Sequence, residues 1–198
     1  MTHFQNLIKQ RRSIYHLNTK IKLTQTDITD LIKLCIQECP TAFNSQSARV
    51  VVLFGNSYQN FWNIVENRLK KIVPPKEFSI TKLRIDSFRT GIGTVLFFED
   101  MAVIQNLQQK MPLYKDSFPI WAEQSNGMLQ YMIWSIFAEQ NIGASLQHYN
   151  PLIDEDVKKI FEIPTDWQLT AQMPFGGISL QPTHKTYLPI QERVHVFE

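Results

Sequence analysis

The sequence predicts a single domain of mixed α and β structure, on three observations. Runs rich in β-branched and aromatic residues stand at 48–54, 93–98 and 169–175, and the segments between them repeat apolar residues every three to four positions. A chain of 198 residues, 43% hydrophobic and 19% charged, is also long enough to bury about two-thirds of its unfolded surface. No linker, repeat or charge block divides it, so residues 1–198 read as one unit.

The elements follow in order. Residues 2–10 place Phe4, Leu7 and Ile8 at helical spacing and run into Arg11 and Arg12. Thr24 and Asp27 form a capping-box pattern before Ile28, Leu31, Ile32 and Cys35, and Pro40 ends that helix. Residues 48–54 read as a buried strand, 57–72 as a helix, and the pair Pro74 and Pro75 as a break. A helix over 79–90, a strand over 93–98 and a short helix over 100–110 come next. The longest helix is expected over 121–140, with Met128, Leu129, Met132, Ile133, Ile136 and Phe137 on a wide apolar face. A strand over 142–148, an acid-opened helix over 154–161 and a strand over 169–175 turning at Gly176 and Gly177 complete the body. The alternation in residues 185–198 suggests an edge strand, free to join a neighbouring sheet.

Several function classes are disfavoured. Twenty Lys and Arg against 18 Asp and Glu leave +2, too little for coating nucleic acid or an acidic membrane, so neither is expected as a partner. The longest nearly apolar stretch, 131–138, is far short of the roughly 20 residues of a spanning helix. Two cysteines, Cys35 and Cys39, have no neighbouring ligands for a metal and read as reduced thiols on a buried helix face. With no apolar signal core near the N-terminus, the expected location is cytoplasmic. Phosphate-loop, dinucleotide, nucleophile-elbow and metalloprotease motifs are all missing.

Three segments remain as candidate sites. Arg11, Arg12 and Ser13 fit a phosphate clamp, since guanidinium forks bind phosphate oxygens bidentately, and equally fit a solvated basic turn. The polar run Pro40-Thr41-Ala42-Phe43-Asn44-Ser45-Gln46-Ser47-Ala48-Arg49 sits between an apolar helix and a strand. Its amides both donate and accept, as reading a heterocycle's edge requires, and an ordinary capped loop is the alternative. Gly143-Ala144-Ser145-Leu146-Gln147-His148-Tyr149-Asn150-Pro151 offers small residues for close approach to a flat ligand. No carboxylate or second His stands near His148 in sequence, so its imidazole reads as structural.

Taken in this order, the Arg-Arg-Ser opening, the Pro40–Arg49 loop, the Gly143–Pro151 strand and the Met-Pro-Phe-Gly turn resemble the nitroreductase family, and most of all its fatty-acid-repression-mutant branch. The resemblance spans nearly the whole chain. It implies an α+β fold, a mainly antiparallel central sheet flanked by helices, made as an intertwined homodimer with FMN at the interface. It further implies that Arg11, Arg12 and Ser13 hold the phosphate and ribityl chain, with Arg193 reaching the phosphate from the C-terminal arm. Asn44 and Gln46, supplied by the other subunit, would line the flavin, and Gln124 and Ser125 would contact it. Leu146, Gln147 and His148 would lie beside the ring, His148 acting through its N–H, and Gly176 would allow close approach near the phosphate.

The implied activity is an FMN-dependent NAD(P)H nitroreductase acting on nitroaromatics or quinones by ping-pong hydride transfer, with Phe43, Phe118 and Trp121 as stacking walls and no side-chain nucleophile. A flavin-binding regulatory or stress-response protein with incidental reductase activity would share all of these contacts. One departure stands out: where many members carry a Lys two residues after the motif Ser, this chain has Tyr15, which leaves Lys82 or Arg89 as candidate cations for the reduced flavin.

Overall fold

The computed structural model describes residues 2–198 as helices packed on both faces of one sheet. Among these residues the chain forms α1 (His3–Gln10), β1 (Leu17–Asn18), α2 (Gln25–Glu38), β2 (Ala48–Phe54), α3 (Gly55–Lys70), α4 (Phe78–Arg89), β3 (Gly93–Asp100), α5 (Met101–Lys110), α6 (Ser117–Glu139), β4 (Gly143–Ala144), α7 (Asp154–Ile160) and β5 (Trp167–Ile178). The expected capping box is present: Thr24 Oγ1 accepts from the Asp27 N–H at 3.2 Å, and Asp27 Oδ2 accepts from the Thr24 N–H at 2.8 Å. α6 starts four residues before the expected Trp121, because Pro119 falls in its first turn, where an N–H has no helical partner to lose.

The strand order is β1-β5-β3-β2, with β4 also on β5, and all of these pairings are antiparallel. Both faces of the sheet are covered, which explains why β3 is almost continuously apolar. On one face Ile28, Ile32 and Cys35 of α2 and Leu129, Ile133 and Phe137 of α6 pack on Val95, Phe97, Ala171 and Met173. On the other, Tyr58, Phe61, Trp62 and Val65 of α3, with Ile85, Phe88 and Val157, pack on Leu96, Phe98 and Leu169. Leu169 and Ala171 have the same parity yet lie on opposite faces. The register slips between Phe97 and Phe98, leaving Thr170 as the extra residue of a bulge that reverses the alternation.

Three expectations are corrected. The strand over 142–148 is assigned only at Gly143–Ala144, although Gln147 bridges Gln172 in the same register. Between them the ladder meets Pro174, which has no N–H to contribute. Gly176 and Gly177 do not turn; β5 continues through them to Ile178. They are glycines because the space for a side chain is taken, and a Cβ on Gly177 would lie 2.2 Å from Asn18 Oδ1 and 2.3 Å from the Lys20 carbonyl oxygen. Residues 185–198 form no strand, only a short 3-10 turn at Ile190–Glu192.

The crowding at Gly177 gives a direct test. Gly177→Ala is expected to destabilise the fold by about 1–3 kcal/mol, seen as a lower urea midpoint, whereas an unchanged midpoint would contradict the packing described.

Candidate functional site

β5 gathers the first group of expected residues. α1 ends at Arg11, whose N–H donates to the Leu7 carbonyl, and the chain then runs extended so that Ser13 forms a parallel bridge with Ala144 and the Ile14 N–H donates to the Ala144 carbonyl at 2.9 Å. Gly143 pairs with Gly176, and Gln147 with Gln172. Arg11, Arg12, Ser13, Leu146, Gln147, His148 and Gly176 therefore stand along the edge of β5 that β4 borders. At Gly176 the protein's own backbone fills the available room, with Asn18 O 2.6 Å from a built Cβ, so sheet packing alone accounts for this glycine.

The arginines here carry no countercharge. The Arg11 guanidinium lies 4.2 Å from the Trp134 ring centre and 5.8 Å from that of Tyr131, and its Nε is buried without a partner. Arg12 donates through Nη2 to the Thr183 carbonyl at 2.7 Å. Neither is ion-paired to a carboxylate among the described residues. A buried guanidinium donor without a partner costs roughly 1–3 kcal/mol or more, and an anion would relieve that cost. The residues present thus fit a phosphate-bearing group.

A second group forms elsewhere. Phe43, Asn44 and Gln46 have φ of 54°, 50° and 48°, the left-handed region that costs a non-glycine residue about 1–2 kcal/mol. The loop is held there by the Asn44 N–H donating to the Thr41 carbonyl, the Gln46 N–H donating to Thr41 Oγ1, and Arg49 Nη1 donating to the Gln46 carbonyl at 2.8 Å. Phe43 packs among Tyr114, Phe118 and Trp121 at ring separations of 5.6–6.0 Å, so the three expected stacking residues do meet. Gln124 and Ser125 line a cleft with Ala42, Phe43, Trp121 and Met128; Ser125 is buried and Gln124 exposed. Asn44 and Gln46 are exposed beside them.

One chain does not unite the two groups. Trp134, beneath Arg11, lies nine residues beyond Ser125 on α6, or about 13 Å along the helix. Arg193 joins neither group and sits exposed at the end of the 3-10 turn. Lys82 and Arg89 are committed to ion pairs with Asp86 and Glu66 on the α3–α4 surface, including Arg89 Nη2 to Glu66 Oε2 at 2.7 Å.

Two buried polar residues, Glu99 and Gln172, escaped the sequence reading; the available signal was an acid or amide interrupting an apolar run. Glu99 is 2% exposed, with Oε1 accepting from Asn126 Nδ2 at 2.7 Å, and Asn126 Oδ1 in turn accepting from Gln130 Nε2. Burial pushes the Glu99 carboxyl above its usual range, against the opposing effects of Ser47, Asn126 and Arg49. Burial likewise pushes the Cys35 thiol up to about 11, and burial together with Glu99 raises Cys39, so neither thiol is a poised nucleophile.

The architecture is that of an α+β domain whose two adjacent arginines face no carboxylate among the described residues and fit a phosphate-bearing group. The Nitroreductase family profile matches residues 8–177, and the chain belongs to that family. It is 33% identical over 189 residues to HBN1 of Saccharomyces cerevisiae, covering 94% of this chain and 93% of that protein. Nitroreductase FRM2 of the same yeast is 29% identical over the same coverage. Nitroreductase CinD from Lactococcus lactis, solved in complex with chloramphenicol, superposes with a TM-score of 0.91 at 38% identity, over 98% of this chain and 100% of that one. The complex of CinD with 4-nitrophenol gives 0.90. A nitroreductase structure from Desulfovibrio desulfuricans in complex with FMN shares the fold, with a TM-score of 0.74 at 14% identity.

Because burial raises the Glu99 value in the folded state above that of the unfolded chain, the stability contributed by its neutral form is complete below the usual carboxylate range and falls as pH rises through the raised value. Glu99→Gln keeps the neutral shape. Its thermal midpoint is expected to fall less than that of the wild type as pH rises above the usual carboxylate range; parallel curves would show that burial does not raise Glu99.

Proposed function

We propose that this nitroreductase-family chain is an FMN-dependent NAD(P)H oxidoreductase, acting in the cytoplasm as half of a homodimer on nitroaromatic or quinone acceptors. The observation that carries the reading is Arg11, stacked on Trp134 with a buried Nε that lacks a partner and no carboxylate to neutralise it. Arg11, Arg12 and Ser13 would bind the phosphate and ribityl chain, joined by Arg193 from the C-terminal arm. When bound, FMN supplies the hydride relay between a nicotinamide and the acceptor. Leu146, Gln147 and His148 would flank the ring, and Asn44, Gln46, Gln124 and Ser125 would bring amide and hydroxyl groups from the second copy. The complexes of CinD with chloramphenicol and 4-nitrophenol, both nitroaromatics, support that acceptor class.

The dimer is supported by surfaces that one chain leaves uncovered. Phe4, Leu34 and Tyr131 line an apolar groove between α1, α2 and α6, and β2 pairs on one edge only. Val194, Val196 and Phe197 of the tail are 58%, 78% and 94% exposed, apolar side chains suited to covering another copy's β2 edge.

Reconstitution with FMN should give an absorbance band near ~450 nm that NADH or NADPH bleaches anaerobically; a protein that takes up no FMN would refute the proposal. Steady-state turnover should give parallel double-reciprocal lines, and intersecting lines would reject one site shared by both substrates. Arg11→Ala is expected to weaken FMN binding about 10- to 100-fold. Removing residues 185–198 should leave a monomer by analytical ultracentrifugation, and a persistent dimer would refute the crossing arm.

A further inference from the structure

Gln172 is fully buried in β5, an amide among apolar neighbours, and nothing in the proposed function employs it. Its polar groups turn to one short segment. The Gln172 N–H donates to the Gln147 carbonyl at 2.9 Å, and its carbonyl accepts from the Gln147 N–H at 2.7 Å. Its Oε1 accepts from the Tyr149 N–H at 2.8 Å, and its Nε2 donates to Asn150 Oδ1 at 3.1 Å. A buried amide is thereby satisfied at both ends by a loop that has no regular secondary structure.

The residue between the clamped positions is the exception. His148 is exposed, and its backbone N–H and carbonyl take no hydrogen bond among the described residues. The N–H groups of Gln147 and Tyr149 are both spent on Gln172, so the His148 N–H is the donor that this segment leaves available.

We propose that Gln172 is a positioning residue, which by clamping Gln147, Tyr149 and Asn150 aims the free His148 N–H at the acceptor nitrogen of the redox cofactor's ring. The inference rests on the flavin function proposed above. An apolar residue of similar size would fill the same space but release Tyr149 and Asn150, so the loop would keep its path only through the Gln147 bridge. The amide rather than the volume is what matters.

The test uses full-length Gln172→Leu and, as a milder break of the same link, Asn150→Ala. Without cofactor, hydrogen exchange at the Tyr149 amide should accelerate at least about tenfold in Gln172→Leu. After loading with FMN, the visible band of the oxidised flavin should shift, and its reduction by NADH per bound flavin should slow at least about tenfold, while the Kd for FMN changes less than about threefold. Asn150→Ala should move the band and the rate in the same direction by less, and it decides the matter if Gln172→Leu does not fold. Wild-type protein that fails to bind FMN would overturn the function and the inference together. Normal FMN binding by the wild type, with unchanged Tyr149 exchange or with an unchanged band and rate in the variants, would overturn the inference alone.

Discussion

The second edge of β5 is the constraint on which the rest of the structure depends. One edge is paired with β3 from Trp167 to Phe175, and residues 171–177 are buried, so backbone groups of this stretch on the other edge need partners in the protein. Two segments supply those partners, with β4 meeting Phe175 and Gly176, and Gln147 meeting Gln172. Each buried N–H or carbonyl left unmet would cost about 1–3 kcal/mol, enough to make the pairing obligatory in a marginally stable fold. Because Ser13 bridges Ala144, the same edge also fixes where α1 delivers its arginines. The cationic corner is thus a consequence of satisfying one strand.

What the fold leaves unsatisfied is equally informative. Arg11 keeps a buried donor without an acceptor, β2 keeps an open edge, the tail keeps its apolar side chains in water, and Phe43, Asn44 and Gln46 hold left-handed backbone beside an open cleft. Each of these arrangements carries a cost. The proposed dimer, with a phosphate-bearing aromatic cofactor between two copies, would account for them together. α6 acts as the spacer, placing Ser125 and Trp134 about 13 Å apart so that the two groups on one chain stay separate.

Much of this was legible in the sequence where local chemistry dominates. Thr24 and Asp27 announced the start of α2, the β-branched run at 48–54 announced β2, and the Arg-Arg-Ser, Asn-x-Gln and Leu-Gln-His segments marked loops that the fold does bring to a cleft or to the edge of β5. Misreadings occurred where a distant residue decides the outcome. Gly176 and Gly177 looked like a turn because their real reason, the backbone of Asn18 and Lys20, lies some 160 residues away in sequence. β4 is shorter than its apolar pattern because Pro174 stands opposite it, and the tail, read as a strand from its alternation, forms only a 3-10 turn at Ile190–Glu192. β1, two residues long, carries no periodicity to read. Glu99 and Gln172 were passed over because a polar residue in an apolar run acquires meaning only when its partners, Asn126 or the 147–150 loop, are placed.

The most direct measurement is a mixing experiment between two site-defective chains, one Arg11→Ala and the other Asn44→Ala with Gln46→Ala, each deficient in FMN binding alone. If every site takes its arginines from one copy and its amide loop from the other, a two-fold heterodimer contains one intact site and one doubly defective site. Equimolar mixing with subunit exchange should then restore about one quarter of the wild-type FMN binding. No restoration after demonstrated exchange would place both groups in the same chain's site and contradict the shared interface.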